Sequence, residues 1–207
     1  MAISNTSICN MSLTKIGAKR INNLEDTTEG TISAIQCRLH FEQTRDSLLR
    51  TCWWRFASGR ASLSQDTESP DFEWDNQFLL PNDFLRLKAV YDDVSPNNES
   101  NYSYTIEGDL LLTNEGTVDI RYVKKVTDPA EFDPLFVEVF VTALAVKLVM
   151  PLSQDRLLYR ELQEELARTM ARVRVVDLTE TNTVGRNDRS TWIDAKQAYP
   201  VDSRLGS

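Results

Sequence analysis

The hydrophobic pattern near the start of the chain predicts two helices. Ser4 is placed to cap the first helix, Ile8 lies on its apolar face, and Gly17 is expected to end it. Asp26 and Glu29 resemble a capping box, the pair of side chains that opens many helices, for a longer second helix. The predicted apolar stripe of this second helix consists of Ile32, Ile35, Leu39, Leu48 and Leu49.

Around Trp53 the pattern changes from helical spacing to alternation. Bulky residues follow one another there, and we predict a strand in which Trp54 and Phe56 point to one side and Arg55 to the other. Aromatic side chains contribute much of the area that a core buries, so we interpret these residues as core that joins the two halves of the chain.

Residues 53–128 are typical of strands connected by turns. Between Leu85 and Tyr91, apolar residues alternate with Arg86 and Lys88, and Glu107-Gly108-Asp109 has the composition of a hairpin turn. The polar and acidic stretch 64–75 is predicted to be an exposed loop. The whole region predicts one small antiparallel sheet.

Two more helices are predicted after the strands. Asp133 and Pro134 form a cap followed by proline at the first helical position. The helix that they open runs to about Met150, is apolar on nearly all sides and is expected to be the most buried element. Glu138 and Lys147 interrupt its apolar run, which is predicted to be too short to span a bilayer. The last helix carries an apolar stripe formed by Leu158, Leu162, Leu166, Met170 and Val173.

These patterns together predict an α+β fold. Residues 1–52 and 129–178 form a helical bundle, into which residues 53–128 are inserted as a small antiparallel β-rich domain. Residues 179–207 are polar and lack periodicity, so we predict an extended C-terminal arm.

The charge of the chain limits its functions. Its formal net charge of −8 argues against general nucleic-acid binding through basic patches, because phosphate contacts need an excess of lysine and arginine. Between Asp66 and Asp133 there are sixteen acidic and five basic residues. Two interpretations of this excess stay open. The acidic residues form an ordinary solvated surface, or they form a surface whose role requires that it does not bind a polyanion.

Catalytic constellations are not visible in the sequence. The single histidine, His40, is expected at the surface or boundary of a helix, and no glycine-rich phosphate loop occurs. The cysteines Cys9, Cys37 and Cys52 lack metal-ligand spacing and are interpreted as buried thiols of a reducing compartment. We therefore expect no enzyme activity, no cofactor and no metal, although abundant carboxylates leave a glycosidase-like pair open. The start of the chain has no signal-peptide pattern, so synthesis in the cytosol is expected.

An ordered set of residues between about Ile3 and Val176 resembles one family. The set consists of Ile16-Gly17-Ala18, Leu24-Glu25-Asp26, Cys37, Arg45-Asp46, Trp54, Phe56-Ala57, Arg60, Pro70, Trp74, Phe78, Leu80-Pro81, Asp83, Arg86, Tyr122, Pro129, Phe132 and Pro134. It is similar to the tail tubular protein A family, the head-to-tail adaptors of T7-like short-tailed bacteriophages. The order of the set carries the resemblance, and no single motif is diagnostic.

The resemblance implies a structural protein of the virion tail that is assembled in the host cytoplasm. Twelve copies would form a ring between the portal protein and the nozzle protein, tail tubular protein B, with tail fibres or spikes as further partners. Double-stranded DNA would pass through the ring without specific binding, and no membrane binding is expected. The alternative is a tail-associated hydrolase that acts on glycans of the cell envelope.

The predicted arm is assigned to portal binding by analogy with related adaptors, whose C-terminal extensions reach the portal. Aromatic anchors close to arginine are the residue types that dominate interface energetics. The portal-binding residues predicted on this ground are Arg186, Arg189, Trp192, Ile193 and Tyr199.

Overall fold

The computed structural model describes residues 3–91 and 103–180, with side chains described as far as Val173. Helices α1 and α2 precede seven strands, and helices α3 and α4 follow them. The elements are α1 (Asn5–Lys15), α2 (Ile32–Thr51), β1 (Ser58–Ser62), β2 (Ser64–Gln65), β3 (Asn76–Leu79), β4 (Phe84–Tyr91), β5 (Tyr104–Glu107), β6 (Leu110–Thr113), β7 (Asp119–Lys124), α3 (Pro134–Leu152) and α4 (Arg156–Glu180). This architecture confirms the predicted α+β fold of helices with inserted antiparallel strands.

The start of α1 agrees with its prediction. The Ser4 hydroxyl accepts a hydrogen bond from the Ser7 backbone N–H, and the Ser7 hydroxyl accepts one from the Ser4 N–H. Gly17 has a φ of +68°, the left-handed conformation that ends many helices and that glycine adopts without strain. Because both signals are local, the sequence alone was enough to place this helix.

The start of α2 differs from its prediction. Thr31, and not Asp26, caps the helix by accepting a hydrogen bond from the Ala34 N–H. Asp26 instead accepts hydrogen bonds from the hydroxyl and the backbone N–H of Thr28, which lower the pKa of its carboxyl. The Arg38 guanidinium donates to the carbonyl oxygens of Asp26 and Glu29 and so holds this turn against the helix. The aspartate therefore stabilises a turn that precedes the helix.

Helix α3 is the centre of the main core, as predicted, and contacts each of the other three helices. It continues past Met150 and Pro151 to Leu152. Among the described residues, α3 is the one helix long and apolar enough to cross a membrane, with a mean hydropathy of 2.1. The prediction that it is too short was therefore wrong. Since 61% of its most apolar stretch is buried by the rest of the protein, its composition is that of a core helix.

The strand predicted from Trp53 onward was wrong. A short 3-10 turn, Arg55–Ala57, lies there, and β1 begins only at Ser58. The Trp54 indole N–H donates to the Leu48 carbonyl oxygen over 3.0 Å, which turns this residue back onto α2. Trp54 and Phe56 both contact the ring of Phe136 on α3, which agrees with the interpretation of these aromatics as core.

The strands form two sheets, where one was predicted. The first sheet has the order β1-β7-β4 and the second has the order β2-β3-β6-β5, and all pairs are antiparallel. A second, smaller core fills the space between them and consists of Phe78, Val90, Leu111, Val118, Ile120 and Tyr122. Alternation shows which residues face a core, but it does not show which strands pair. The turn predicted at Glu107–Asp109 does connect β5 to β6, with Gly108 at a φ of +58°.

The close approach of Gly59 to Tyr122 predicts a cost for a larger side chain on β1. A Cβ added at Gly59 would lie 2.7 Å from the Tyr122 ring, and the Tyr122 hydroxyl is tied to Asp83 by a hydrogen bond of 2.9 Å. Burial, with the hydrogen bond to Asp83, raises the pKa of Tyr122 to about 12. We expect Gly59→Ala to lower the free energy of unfolding by about 1–3 kcal/mol in urea denaturation, because the ring cannot move aside without losing this bond.

The matched control for Gly59→Ala is Gly116→Ala. A Cβ added at Gly116 meets no atom within 4 Å, so its effect should stay within about 0.5 kcal/mol. Equal effects of the two substitutions would show that the contact with Tyr122 is not the cause.

The stripe predicted for α4 faces the main core. Leu162 and Val173 are buried, and Leu158, Leu166 and Met170 are partly buried against the same core. Residues 179 and 180 belong to α4, and the rest of the predicted arm lies outside the described residues.

Candidate interaction surfaces

Potential metal ligands are dispersed over the described part of this fold. Within residues 3–91 and 103–180, no three His, Cys, Asp or Glu side chains lie together as metal ligands would. His40 is half-buried on α2, at the boundary position expected for it.

The three cysteines are buried thiols that form no disulfide, as predicted. Cys9 on α1 and Cys37 on α2 are hydrogen-bonded to each other, which raises the pKa of Cys9 and lowers that of Cys37. Both side chains belong to the main core. Their small size lets the two helices approach closely.

A basic pocket lies on the first sheet, on the side that faces away from the second sheet. Arg60 on β1 is directly opposite Arg121 on β7, so two guanidinium groups share one face. The guanidinium carbon of Arg121 lies 5.8 Å from the centre of the Tyr91 ring. The pocket has a volume of about 400 Å³ and is also lined by Asp119. We call this site the basic pocket.

The same sheet carries two further cations on β4. The Arg86 guanidinium carbon lies 4.3 Å, and the Lys88 ammonium nitrogen 5.3 Å, from the ring centre of Trp53. Arg86 also donates a hydrogen bond to the Arg50 carbonyl oxygen over 3.0 Å. Four of the five basic residues between Asp66 and Asp133 thus lie on this one sheet, although the region as a whole is acidic. They are Arg86, Lys88, Arg121 and Lys124.

Residues 66–75, between β2 and β3, form an acidic loop that is anchored at both ends. The Asp66 backbone N–H donates to the Gln77 carbonyl oxygen, and the Asp66 carboxylate accepts a hydrogen bond from the Gln77 side-chain amide. At the other end, the Asp75 N–H donates to the Asn114 side-chain oxygen. Between these anchors Phe72 is 79% exposed, and Glu73 has a φ of +73°, which few residues other than glycine adopt. The loop therefore holds an aromatic ring in solvent between carboxylates. We call these residues the acidic loop.

The first half of the stripe predicted for α2 is exposed, which corrects that part of the prediction. Ile32, Ile35 and Leu39 are 67%, 47% and 64% exposed. The face that α2 buries instead carries Ala34 and Cys37. These smaller residues allow α1 and α3 to pack closely, and the larger ones are rotated into solvent. We call Ile32, Ile35 and Leu39 the α2 stripe.

The residues predicted to bind a portal, Arg186, Arg189, Trp192, Ile193 and Tyr199, lie outside the described residues. Sequence reasoning missed the basic pocket, because the pairing of Arg60 with Arg121 depends on a strand register that the sequence does not show. The α2 stripe was visible as a pattern but was assigned to the wrong side of the helix. No protein-family model and no curated protein matches this chain.

Proposed function

We propose that this protein is a structural head-to-tail adaptor of a short-tailed phage. Copies of the chain, twelve by analogy, form a ring between the portal protein and the nozzle protein, and the ring continues the DNA channel. Double-stranded DNA passes through without specific binding, and tail fibres or spikes are further partners. The support from sequence is the ordered set of residues that resembles the tail tubular protein A family.

The observation that carries the proposal is the α2 stripe. Three large aliphatic side chains at positions i, i+3 and i+7 form a continuous apolar face about 10 Å long. An exposed apolar face of this kind marks a site of protein–protein contact, and interfaces between copies of one chain are more apolar than other interfaces. We assign this face to the contact with a neighbouring copy in the ring.

The proposal is tested by mixing the purified chain with portal protein and recording native mass spectra. We expect the chain alone to be monomeric and to form a closed ring only on the portal, because side-to-side contacts between small subunits are individually weak. A wild-type chain that never forms a ring on the portal would refute the adaptor function.

Substitution of the α2 stripe by charged residues should prevent ring formation. Ile35→Glu with Leu39→Glu keeps the helix propensity but places two carboxylates in the apolar contact. We expect no ring on the portal, and a free energy of unfolding of the monomer that changes by less than about 0.5 kcal/mol, because both side chains are exposed. Leu157→Glu on α4, where the side chain is 67% exposed, is the control and should leave the ring intact.

The portal contact itself is assigned to the arm. A chain that ends at Leu178 lacks the anchor residues and should remain folded but lose its affinity for the portal, which can be measured by surface plasmon resonance. Unchanged affinity of the shortened chain would assign the portal contact to another part of the protein. The residues assigned to this contact are Arg186, Arg189, Trp192, Ile193 and Tyr199.

A further inference from the structure

We propose that the basic pocket of one copy binds the acidic loop of a second copy. This contact joins two different surfaces of the same chain, so it would be a directional contact between neighbours. The inference names one contact within the proposed assembly and in this respect rests on the proposed function.

Within the described part of the chain, the two arginines of the basic pocket have no ion-pair partner. Arg60 and Arg121 are directly opposite each other on neighbouring strands, where their Cβ atoms are about 4.5–5.5 Å apart and like charges are destabilising. Asp119 lines the pocket, yet among the described residues no carboxylate forms an ion pair with either guanidinium. An anionic partner would remove the repulsion between the two arginines.

The acidic loop has the features that the pocket requires. No basic residue occurs between Ser64 and Leu80, and the carboxylates of Asp71 and Glu73 are exposed on either side of Phe72. The ring of Phe72 can lie against a guanidinium, as the Tyr91 ring does with Arg121 in the pocket. Because the loop is tied down at Asp66 and Asp75, little conformational entropy is lost when it binds.

Charge and shape favour this loop over DNA as the occupant. The duplex carries one charge per about 1.7 Å of its axis and is bound by long tracks of lysine and arginine. The basic pocket offers two arginines in a concavity of about 400 Å³, with Asp119 in its lining. A protruding loop with one aromatic ring and adjacent carboxylates fits such a concavity better than a convex duplex does.

A contact between two different surfaces of one chain is heterologous. Repetition of such a contact gives a closed ring when the rotation between copies closes, and a filament when it does not. The inference therefore adds a polar contact in the β-rich part of the chain to the apolar contact assigned to the α2 stripe.

Cross-linking of the full chain tests the contact directly. Arg60→Lys keeps the charge and places an amine in the pocket that carbodiimide can join to a carboxylate. Concentrated protein, made as an equal mixture of nitrogen-14 and nitrogen-15 chains, should give links between position 60 of one copy and Asp71 or Glu73 of another. Arg156→Lys, on the exposed start of α4, is the control and should give no such link. Links only within single copies, or none to the loop, would overturn the inference.

Exchange of charges provides the second measurement. Arg60→Glu with Arg121→Glu reverses the pocket, and Asp71→Lys with Glu73→Lys reverses the loop. The free chain is monomeric when dilute, so the weak contact is measured by sedimentation velocity of concentrated protein at low salt. Each variant alone should then self-associate about tenfold more weakly than the unsubstituted chain. An equal mixture of the two variants should recover the original association, because each reversed surface then meets its complement.

The outcomes separate this inference from the proposed function. If the mixture recovers no association, or if the pocket-reversed chain forms rings on the portal as the unsubstituted chain does, the contact is wrong and the adaptor function stands. If a short DNA duplex binds the unsubstituted chain but not the pocket-reversed one, the occupant is nucleic acid and the inference is also wrong. Failure of the unsubstituted chain to form a ring on the portal would instead refute the adaptor function.

Discussion

Phe136→Ala is expected to lower the free energy of unfolding by about 3–5 kcal/mol, the range found for deletion of a large buried aromatic ring. Phe136 is completely buried on α3. Its ring centre lies 5.0 Å from that of Trp54, 5.1 Å from that of Phe56 and 4.9 Å from that of Phe132. The substitution would leave a cavity where α3 meets the segment that leads from α2 into the first sheet.

Urea denaturation followed by circular dichroism measures this effect, and Phe72→Ala is the matched control. Both substitutions remove the same atoms, but Phe72 is 79% exposed, so its loss should change the free energy of unfolding by less than about 0.5 kcal/mol. A cost below about 1 kcal/mol for Phe136→Ala would mean that the surrounding aromatic residues collapse into the space, and that this cluster does not hold the two parts together.

The features of the fold that the sequence predicted are those that depend on a few adjacent residues. Ser4 caps α1, Asp133 caps α3 by accepting a hydrogen bond from the Leu135 N–H, and Gly108 forms the hairpin turn. In each case the residues that determine the conformation are within four positions of one another. The apolar stripe of α4 was predictable for the same reason, because residues three or four positions apart lie on the same face of a helix.

The features that could not be predicted depend on residues far apart in the chain. Helix α2 contains two apolar patterns, one through Ile35 and one through Ala34 and Cys37, and only packing against α1 and α3 decides between them. The basic pocket likewise requires β1 to pair with β7, which is more than fifty residues away in the sequence. The sequence shows that Arg60 and Arg121 are charged, but only the pairing of β1 with β7 shows that they lie side by side.

Asp46→Asn is expected to lower the free energy of unfolding by about 2–3 kcal/mol. The Asp46 carboxylate lies 2.8 Å from Nε of Arg45 and 3.1 Å from Nζ of Lys125, and so connects α2 to the segment after β7. Arg45 is 3% exposed, and one of its terminal nitrogens has no hydrogen-bond partner among the described residues. Loss of the carboxylate charge would leave this guanidinium buried without compensation. We place the cost below that of a fully buried ion pair, because Asp46 itself is partly exposed to solvent.

Two further variants isolate the buried charge as the cause. Glu42→Gln removes a carboxylate from an exposed position one turn earlier on α2, and should change the free energy of unfolding by less than about 0.5 kcal/mol. Arg45→Met combined with Asp46→Asn removes the guanidinium as well, and should recover most of the loss, because an apolar side chain of similar length has no charge to desolvate. Urea denaturation of the three variants decides the question. A double variant as unstable as Asp46→Asn alone would show that the aspartate stabilises the fold mainly through Lys125.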